Sequence, residues 1–218
     1  MKKRANGRSR PRLFICATGA FAQLPLHAAG IYQKKTLTDS CSSYFVTSYT
    51  PTLGALLTAR RNYRPVHLRG LRSLVAAVPK PFQGSPLPYA LDELSLVGSL
   101  VNNIISNGTQ DVADQRKRHE LVDATIGDVL SKLPGVNMLH LACHGRQNPS
   151  NPLESGFACS DGTLTVAKLM SLNLPNAFFA FLSACETAKG DKAQPDQVIH
   201  LAATMLFVGF KSVIGTFW

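Results

Sequence analysis

Two reactive side chains follow directly after two apolar runs of the chain. The run at 139–143 ends at His144, and the run at 177–184 ends at Cys185. A cysteine is a strong nucleophile only as the thiolate, and a nearby imidazole can take the thiol proton and later return it to a leaving amine. These residue types therefore indicate thiol acyl transfer, with His144 as the base and Cys185 as the nucleophile.

Buried parallel strands would bring the two residues together. Apolar runs of this length, bounded by turn residues, are typical of such strands, and catalytic groups gather at their carboxyl ends. Only a hairpin and one helix separate the two runs, so we expect neighbouring strands. Gly145 adds to the pattern because a residue without Cβ lets a backbone N–H approach a ligand, as an oxyanion hole requires. Taken singly, each residue also fits a structural role: a buried thiol, a hydrogen-bonded imidazole or a turn glycine.

Strands and helices alternate along the sequence. Strands are predicted at 12–17, 44–49, 71–78, 137–143, 177–184 and 211–218, and helices at 51–61, 88–101, 124–133, 166–172 and 196–208. The tripeptide 160–162 predicts a hairpin, and the helix at 88–101 is predicted to bury Leu91, Leu94, Leu96 and Leu100. This order predicts an α/β fold with a parallel sheet covered on both faces.

Length and composition indicate one globular domain. The chain has 218 residues, of which 45% are hydrophobic and 17% charged, and this excludes a disordered or fibrous protein. The longest apolar runs are about half of the ~20 residues needed to span a bilayer, so no membrane helix or membrane partner is expected. Residues 1–10 are predicted to be a disordered basic tail, and 11–218 the folded domain.

The net charge of +10 is concentrated in two places. One is the tail, and the other is a run of arginines at 60, 61, 64, 69 and 72, whereas residues 138–218 contain five basic and five acidic side chains. Only Tyr63 lies among the arginines, so the stacking platform of a single-stranded nucleic-acid site is missing. We expect a solvated basic face and no nucleic-acid partner; a polyanion site at 60–72 is the alternative.

The cysteines predict free thiols. Their number is odd and their spacing wide, at Cys16, Cys41, Cys143, Cys159 and Cys185. This pattern favours a reducing, cytoplasmic location, with Cys16 and Cys143 as small buried side chains. The histidines and cysteines between 140 and 185 lack paired ligand spacing, so neither a metal nor a cofactor is expected.

Longer motifs run through nearly the whole chain. They lie at 24–30, 48–53, 142–145, 182–188 and 200–218, and in this order they resemble the CHAT domain, a branch of the caspase and separase group of cysteine peptidases. The resemblance implies a caspase-like three-layer α/β/α sandwich with a mostly parallel central sheet. The basic and then apolar start of the chain also fits a signal peptide, but the first motif overlaps it, so we assign 13–22 to the domain.

The resemblance also implies an activity and its residues. It suggests an endopeptidase for protein or peptide substrates, with His144 as general acid/base, Cys185 as nucleophile, and Gly145 with the Cys185 backbone N–H as the oxyanion hole. Glu186 and Asp191 would help to select a basic side chain, unless they are solvated loop charges. Relatives commonly stand beside tetratricopeptide-repeat or nucleotide-binding sensor modules, which implies gating by a partner.

Two departures from the family pattern favour an alternative. Gln197 follows Asp196 where relatives usually carry Glu, and the chain stops at Trp218 where relatives continue with another helical segment, so we expect a domain truncated at its C-terminus. The alternative is a catalytically inactive signalling or scaffold domain. His27 and His200 lie in matching motifs and are expected to be structural.

Overall fold

Five parallel strands form the central sheet. The computed structural model describes residues 10–33, 36–67, 70–106, 118–148, 150–184 and 201–216. The strands of the sheet are β5 (Ser73–Ala77), β6 (Arg118–Val122), β7 (Met138–Ala142), β11 (Phe179–Ser183) and β12 (Ser212–Gly215). Their order is β12-β11-β7-β5-β6, so β7 and β11 are neighbours, as predicted.

Helices cover both faces of this sheet. One face packs against α3 (Ala90–Ser106), and the other against α4 (Ile126–Lys132), α5 (Val166–Met170) and α6 (Leu201–Val208). Each face has its own cluster of buried hydrophobic side chains, and the cluster on the α3 side is the smaller one. Because strand side chains alternate between faces, Val75 packs in the cluster on the α3 side and Leu74 in the cluster on the opposite side. The predicted fold, an α/β sandwich around a parallel sheet, is confirmed.

Three smaller sheets flank the centre. β1 (Arg12–Ile15) pairs in parallel with β4 (Val46–Tyr49), and β2 (Gly30–Gln33) pairs antiparallel with β3 (Thr36–Ser40). β8 (Gly145–Arg146), β9 (Gly156–Ala158) and β10 (Thr163–Thr165) form an antiparallel sheet. The turn between β9 and β10 contains Gly162 at φ +151°, which confirms the predicted hairpin. The remaining α-helices of the described residues are α1 (Cys41–Tyr44) and α2 (Leu53–Arg61).

Threonine side chains begin three of the helices. Thr52 caps α2, which therefore starts at Leu53. Thr165 caps α5, as predicted from the sequence. Thr125 caps α4 and exchanges hydrogen bonds with Asp128, and these bonds hold the pKa of that carboxyl below its ordinary value. At the other end of a helix, Gly209 at φ +133° terminates α6.

The structure corrects three sequence predictions. Leu91, Leu96 and Leu100 of α3 are exposed, since the buried side of that helix is formed by Ala90, Leu94, Val101 and Ile105. The strand β6 was not predicted from the sequence. Cys16, expected to be buried, is exposed.

Other predictions concern parts of the chain that the structure leaves out. Residues 1–9 lie outside the described residues, and so does Asp196, the predicted cap of α6. Among the helices of the described ranges, none is long and apolar enough to cross a membrane.

Candidate active site at the carboxyl edge of the sheet

The pairing of β7 with β11 fixes the geometry of the carboxyl edge. Ser183 is the register partner of Ala142, and the Cys143 N–H donates to the Ser183 carbonyl at 3.2 Å. His144 therefore lies just beyond the end of β7, and Ala184 just beyond the end of β11. The Ala184 carbonyl accepts a hydrogen bond of 2.6 Å from the Thr216 hydroxyl, which ties this end of β11 to the end of β12.

The His144 ring is held by the backbone of a loop. Its Nε2 donates to the Ser85 carbonyl oxygen at 2.8 Å. Because a carbonyl only accepts, the neutral ring carries its proton on Nε2 and keeps the Nδ1 lone pair for another partner. Gly84, at φ +114°, packs on the ring: a Cβ at this position would lie 3.2 Å from His144 Cδ2. A glycine thus allows the loop to lie close against the imidazole.

The loop at 79–87 is fastened at several points. The Phe82 N–H donates to the Cys159 carbonyl at 3.0 Å, next to the β9–β10 turn. The Arg146 guanidinium donates to the Gln83 side-chain oxygen. The loop that orients His144 is therefore held by β8 and by the hairpin, and its Lys80 N–H also donates to the Asp123 carboxylate at 3.1 Å.

Gly145 occupies the first position of β8. It pairs with Phe157 of β9, and the Ala158 N–H donates to the His144 carbonyl at 2.8 Å. These contacts fix the backbone at 144–145 against the hairpin, close to the carboxyl edge. A preorganised backbone is what an oxyanion-binding N–H needs, because it should not reorganise during the reaction.

A partly buried polar cluster lies beneath this edge, on the α3 side. Glu93 of α3 accepts a hydrogen bond of 2.9 Å from the Ser183 hydroxyl, and its other oxygen is 3.5 Å from His140 Nε2. His140 is fully buried and packs on Phe181, with 4.9 Å between ring centroids. Burial lowers the pKa of His140, an effect that the Glu93 carboxylate opposes. The cluster links α3, β7 and β11 at the point where the two strands approach their ends.

A family model for the CHAT domain matches residues 2–218. The chain belongs to the CHAT domain family. This family is caspase-like, so the resemblance found in the sequence motifs is confirmed. A search of the curated proteins found no match.

Two other thiols of the CHAT domain lie near the hairpin and the carboxyl edge. Cys143 is buried, and burial raises its pKa well above the ordinary value for a thiol. Burial, with the nearby Asp161 carboxylate as a smaller cause, raises the pKa of Cys159 to about 11. Both thiols therefore stay protonated at neutral pH, which makes them poor nucleophiles.

Several predicted site residues of the CHAT domain lie outside the described residues. They are Cys185, Glu186, Asp191, Gln197 and His200. His27 is described, and its Nδ1 lies 2.9 Å from the Tyr49 hydroxyl, in line with a structural role. Within the part of the chain that the structure describes, no group of three or more His, Cys, Asp or Glu side chains could hold a metal ion.

Sequence reasoning missed three contributors to this region. Ser85 acts through its backbone carbonyl, for which the residue type carries no signal. Gly84 stands in a segment without a recognisable motif. Glu93 is one of two acidic residues in the first turn of α3, and only the helix orientation shows which of them reaches Ser183.

Proposed function

We propose that this CHAT domain is a cysteine endopeptidase in which His144 and Cys185 form the catalytic dyad. The observation that carries the proposal is the register of the two central strands. Ala142 pairs with Ser183. His144 follows Ala142 by two positions, and Cys185 follows Ser183 by two positions. Parallel neighbours lie about 4.8 Å apart, and residues two apart on an extended chain share a face, which favours contact between the two side chains.

The orientation of His144 supports its role as the base. With Nε2 donating to Ser85, Nδ1 is the atom available to take the thiol proton. The thiolate then attacks the substrate carbonyl carbon, and the negative charge develops on the carbonyl oxygen, where the backbone N–H groups of Gly145 and Cys185 stabilise it. His144 returns the proton to the leaving amine, which breaks the peptide bond and leaves a thioester on Cys185. A water molecule, deprotonated by His144, hydrolyses the thioester.

The surroundings of the other thiols favour Cys185 as the nucleophile. Cys143 and Cys159 hold their protons, and Cys143 points into the core cluster away from α3. Cys185 is the residue that follows Ala184 in the sequence, and Ala184 lies at the same carboxyl edge as His144. This sequence position supports Cys185 as the partner of His144.

Charge suggests a preference within the class of protein substrates. Glu186 follows the nucleophile directly and Asp191 lies five residues further on. Carboxylates close to a nucleophile would favour a substrate with Lys or Arg beside the cleaved bond. We expect Glu186→Gln and Asp191→Asn to reduce cleavage after basic residues, and unchanged preference in both variants would exclude this part of the proposal.

The dyad is tested with a diverse peptide library and an acylating, thiol-reactive peptide probe. The wild-type chain should cleave peptides and be labelled on Cys185. We expect Cys185→Ala to lose both the cleavage and the labelling. His144→Ala should cleave at least about a hundredfold more slowly, because general acid–base catalysis usually contributes a factor of that size. Cys16→Ala is the matched control, because it removes an exposed thiol elsewhere and should keep full activity. Thermal unfolding of each variant separates loss of the dyad from loss of the fold.

The same experiment decides between the peptidase and the inactive scaffold. Cleavage that survives Cys185→Ala would reject the dyad. A folded wild-type chain that neither cleaves nor is labelled, in contrast, would favour the signalling or scaffold role that Gln197 suggests.

Gating by a partner is a separate part of the proposal. Tetratricopeptide-repeat or nucleotide-binding sensor modules are the expected partners. If such a partner completes the site, the probe should label only a fraction of the isolated chain. Stoichiometric labelling of the isolated chain at the full rate would contradict gating while leaving the dyad intact.

A further inference from the structure

A cavity of about 730 Å³ lies at the opposite edge of the sheet from His144. Its walls include Arg72, Asn137, Phe178 and Lys211, which immediately precede β5, β7, β11 and β12, and residues at the C-terminal ends of α2 and α6. A strand rises about 3.3 Å per residue, so the seven residues from 137 to 144 separate the cavity from His144 by about 23 Å. The cavity is therefore distinct from the candidate active site.

The charge of the lining is of one sign. Among the described residues, four cationic side chains line the cavity, namely Arg61, Arg64, Arg72 and Lys211, and none of the lining residues in these ranges is Asp or Glu. Arg118 of β6, in contrast, pairs with Glu120. Of the ion pairs between described residues, none involves the three cavity arginines. Like charges gathered around a concave surface repel one another, and an anionic ligand would relieve that repulsion.

Contacts behind the lining hold several of these groups in place. Asn137 is buried, its side-chain amide donates to the Gly70 carbonyl at 2.8 Å, and its Oδ1 accepts from the Arg72 N–H at 3.0 Å. The Tyr63 and Phe178 rings pack with 5.7 Å between centroids, which fastens the segment after α2 to the start of β11. The walls are thus fixed by the fold, so that binding requires little ordering of the backbone.

Lys211 contributes a cation that is partly withdrawn from water. Its Nζ donates to the Gly209 carbonyl at 2.7 Å, and burial lowers the pKa of the amine. A partly desolvated ammonium gains more from an anionic partner than a fully solvated one does, because the local dielectric is lower.

We propose that this cavity binds a small molecule that carries two or more phosphate groups. Arginine guanidinium groups match phosphate oxygens in bidentate pairs, and three arginines line this one cavity. The volume lies within the roughly 300–1,000 Å³ of small-molecule sites. A nucleic acid is disfavoured because the arginine run at 60–72 contains one aromatic residue of the Phe, Trp or Tyr type, Tyr63, whereas a stacking platform for successive bases needs several.

The test is isothermal titration of the full chain with inorganic tripolyphosphate, and separately with ATP. We expect saturable binding at one site per chain, weakened about tenfold or more by Arg61→Gln, Arg64→Gln or Arg72→Gln, since a hydrogen bond to a charged group is typically worth such a factor. Arg60→Gln is the matched control. Arg60 belongs to the same helical turn and carries the same charge, but it does not line the cavity, and its guanidinium lies 4.8 Å from the centre of the Phe14 ring.

Each outcome bears on the proposal. ATP that binds at least tenfold more tightly than tripolyphosphate supports a nucleotide as the ligand, and equal affinities support a ligand recognised by its phosphates alone. Equal losses in Arg60→Gln and Arg61→Gln would overturn the site in favour of a diffuse basic face. Binding that strengthens with oligonucleotide length, and not with tripolyphosphate, would overturn it in favour of a nucleic acid. Cys185→Ala should bind like the wild type, so failure of the peptidase proposal leaves this one intact.

Discussion

Substitution of Gly156 by alanine should damage both the stability of the fold and the candidate active site. Gly156 lies in β9 between Arg146 of β8 and Thr165 of β10. A Cβ here would stand 2.2 Å from the Leu164 carbonyl oxygen and 2.8 Å from Thr163 Cγ2. The obstructing oxygen belongs to the backbone, so β9 and β10 would have to separate by about 1 Å to restore ordinary contact. Overpacking strain and weaker hydrogen bonds between β9 and β10 should together lower the free energy of unfolding by about 3 kcal/mol.

Thermal unfolding measures this loss. For a chain of this length we expect the Tm of Gly156→Ala to fall by about 6–12 °C. Gly135→Ala is the control, because a Cβ at that position meets no atom within 4 Å and its Tm should change by no more than about 2 °C. Labelling of Cys185 by the peptide probe should also slow in Gly156→Ala, since β9 holds Gly145 in place. A Gly156→Ala variant that matches the Tm of Gly135→Ala would refute the close-packed hairpin on which this reasoning depends.

Three further predictions concern helix stability, pH and thiol reactivity. Gly127→Ala in α4, where the nearest atom to the new Cβ would be 3.9 Å away, should stabilise the fold by about 0.5–1 kcal/mol, measured by denaturant unfolding. Because the pKa of His140 is lowered in the fold, the unfolded chain binds the proton more readily, so stability should fall as the pH drops below about 6.5, and His140→Gln should flatten the Tm between pH 7 and 5. Iodoacetamide at pH 8 should leave Cys143 and Cys159 unmodified until the chain is unfolded, as peptide mapping would show; modification of either in the folded chain would contradict their burial.

Strands that are buried on both faces could be predicted from the sequence. β5 and β7 are buried on both faces and give continuous apolar runs, which is why both were found. β6 is an edge strand with the sequence Arg-His-Glu-Leu-Val. Three of its five residues are polar, so it does not form the continuous apolar run by which β5 and β7 were predicted. In α3 the residue types did not show which side is buried, because Leu96 and Leu100 are as apolar as the buried Leu94 but exposed to solvent. The side of α3 that is buried is set by tertiary packing and could not be predicted from amphipathic spacing alone.

Residue type singles out the candidate residues of the site but not the groups that orient them. His144 and Gly145 were predicted because imidazole and glycine are types that acyl transfer uses, and their catalytic roles stay predictions. The Ser85 carbonyl that orients His144 was not predictable, since every residue has such a group and only the path of the loop selects one. The contact between Glu93 and Ser183 spans 90 positions of sequence, and no local pattern reports a pairing of that range.

Burial also explains why the two strands β5 and β7 contain no Asp, Glu, Lys or Arg between their ends. The side chains of β5 and β7 are almost entirely withdrawn from water, and an unpaired charge there would cost several kcal/mol. His140 is the titratable residue within these two strands, and its lowered pKa keeps it neutral at physiological pH. On β5 and β7, charged side chains are therefore accommodated only beyond the ends of the strands. The same constraint that makes the strands recognisable leaves His144 at the carboxyl edge and the arginine-lined cavity at the amino edge.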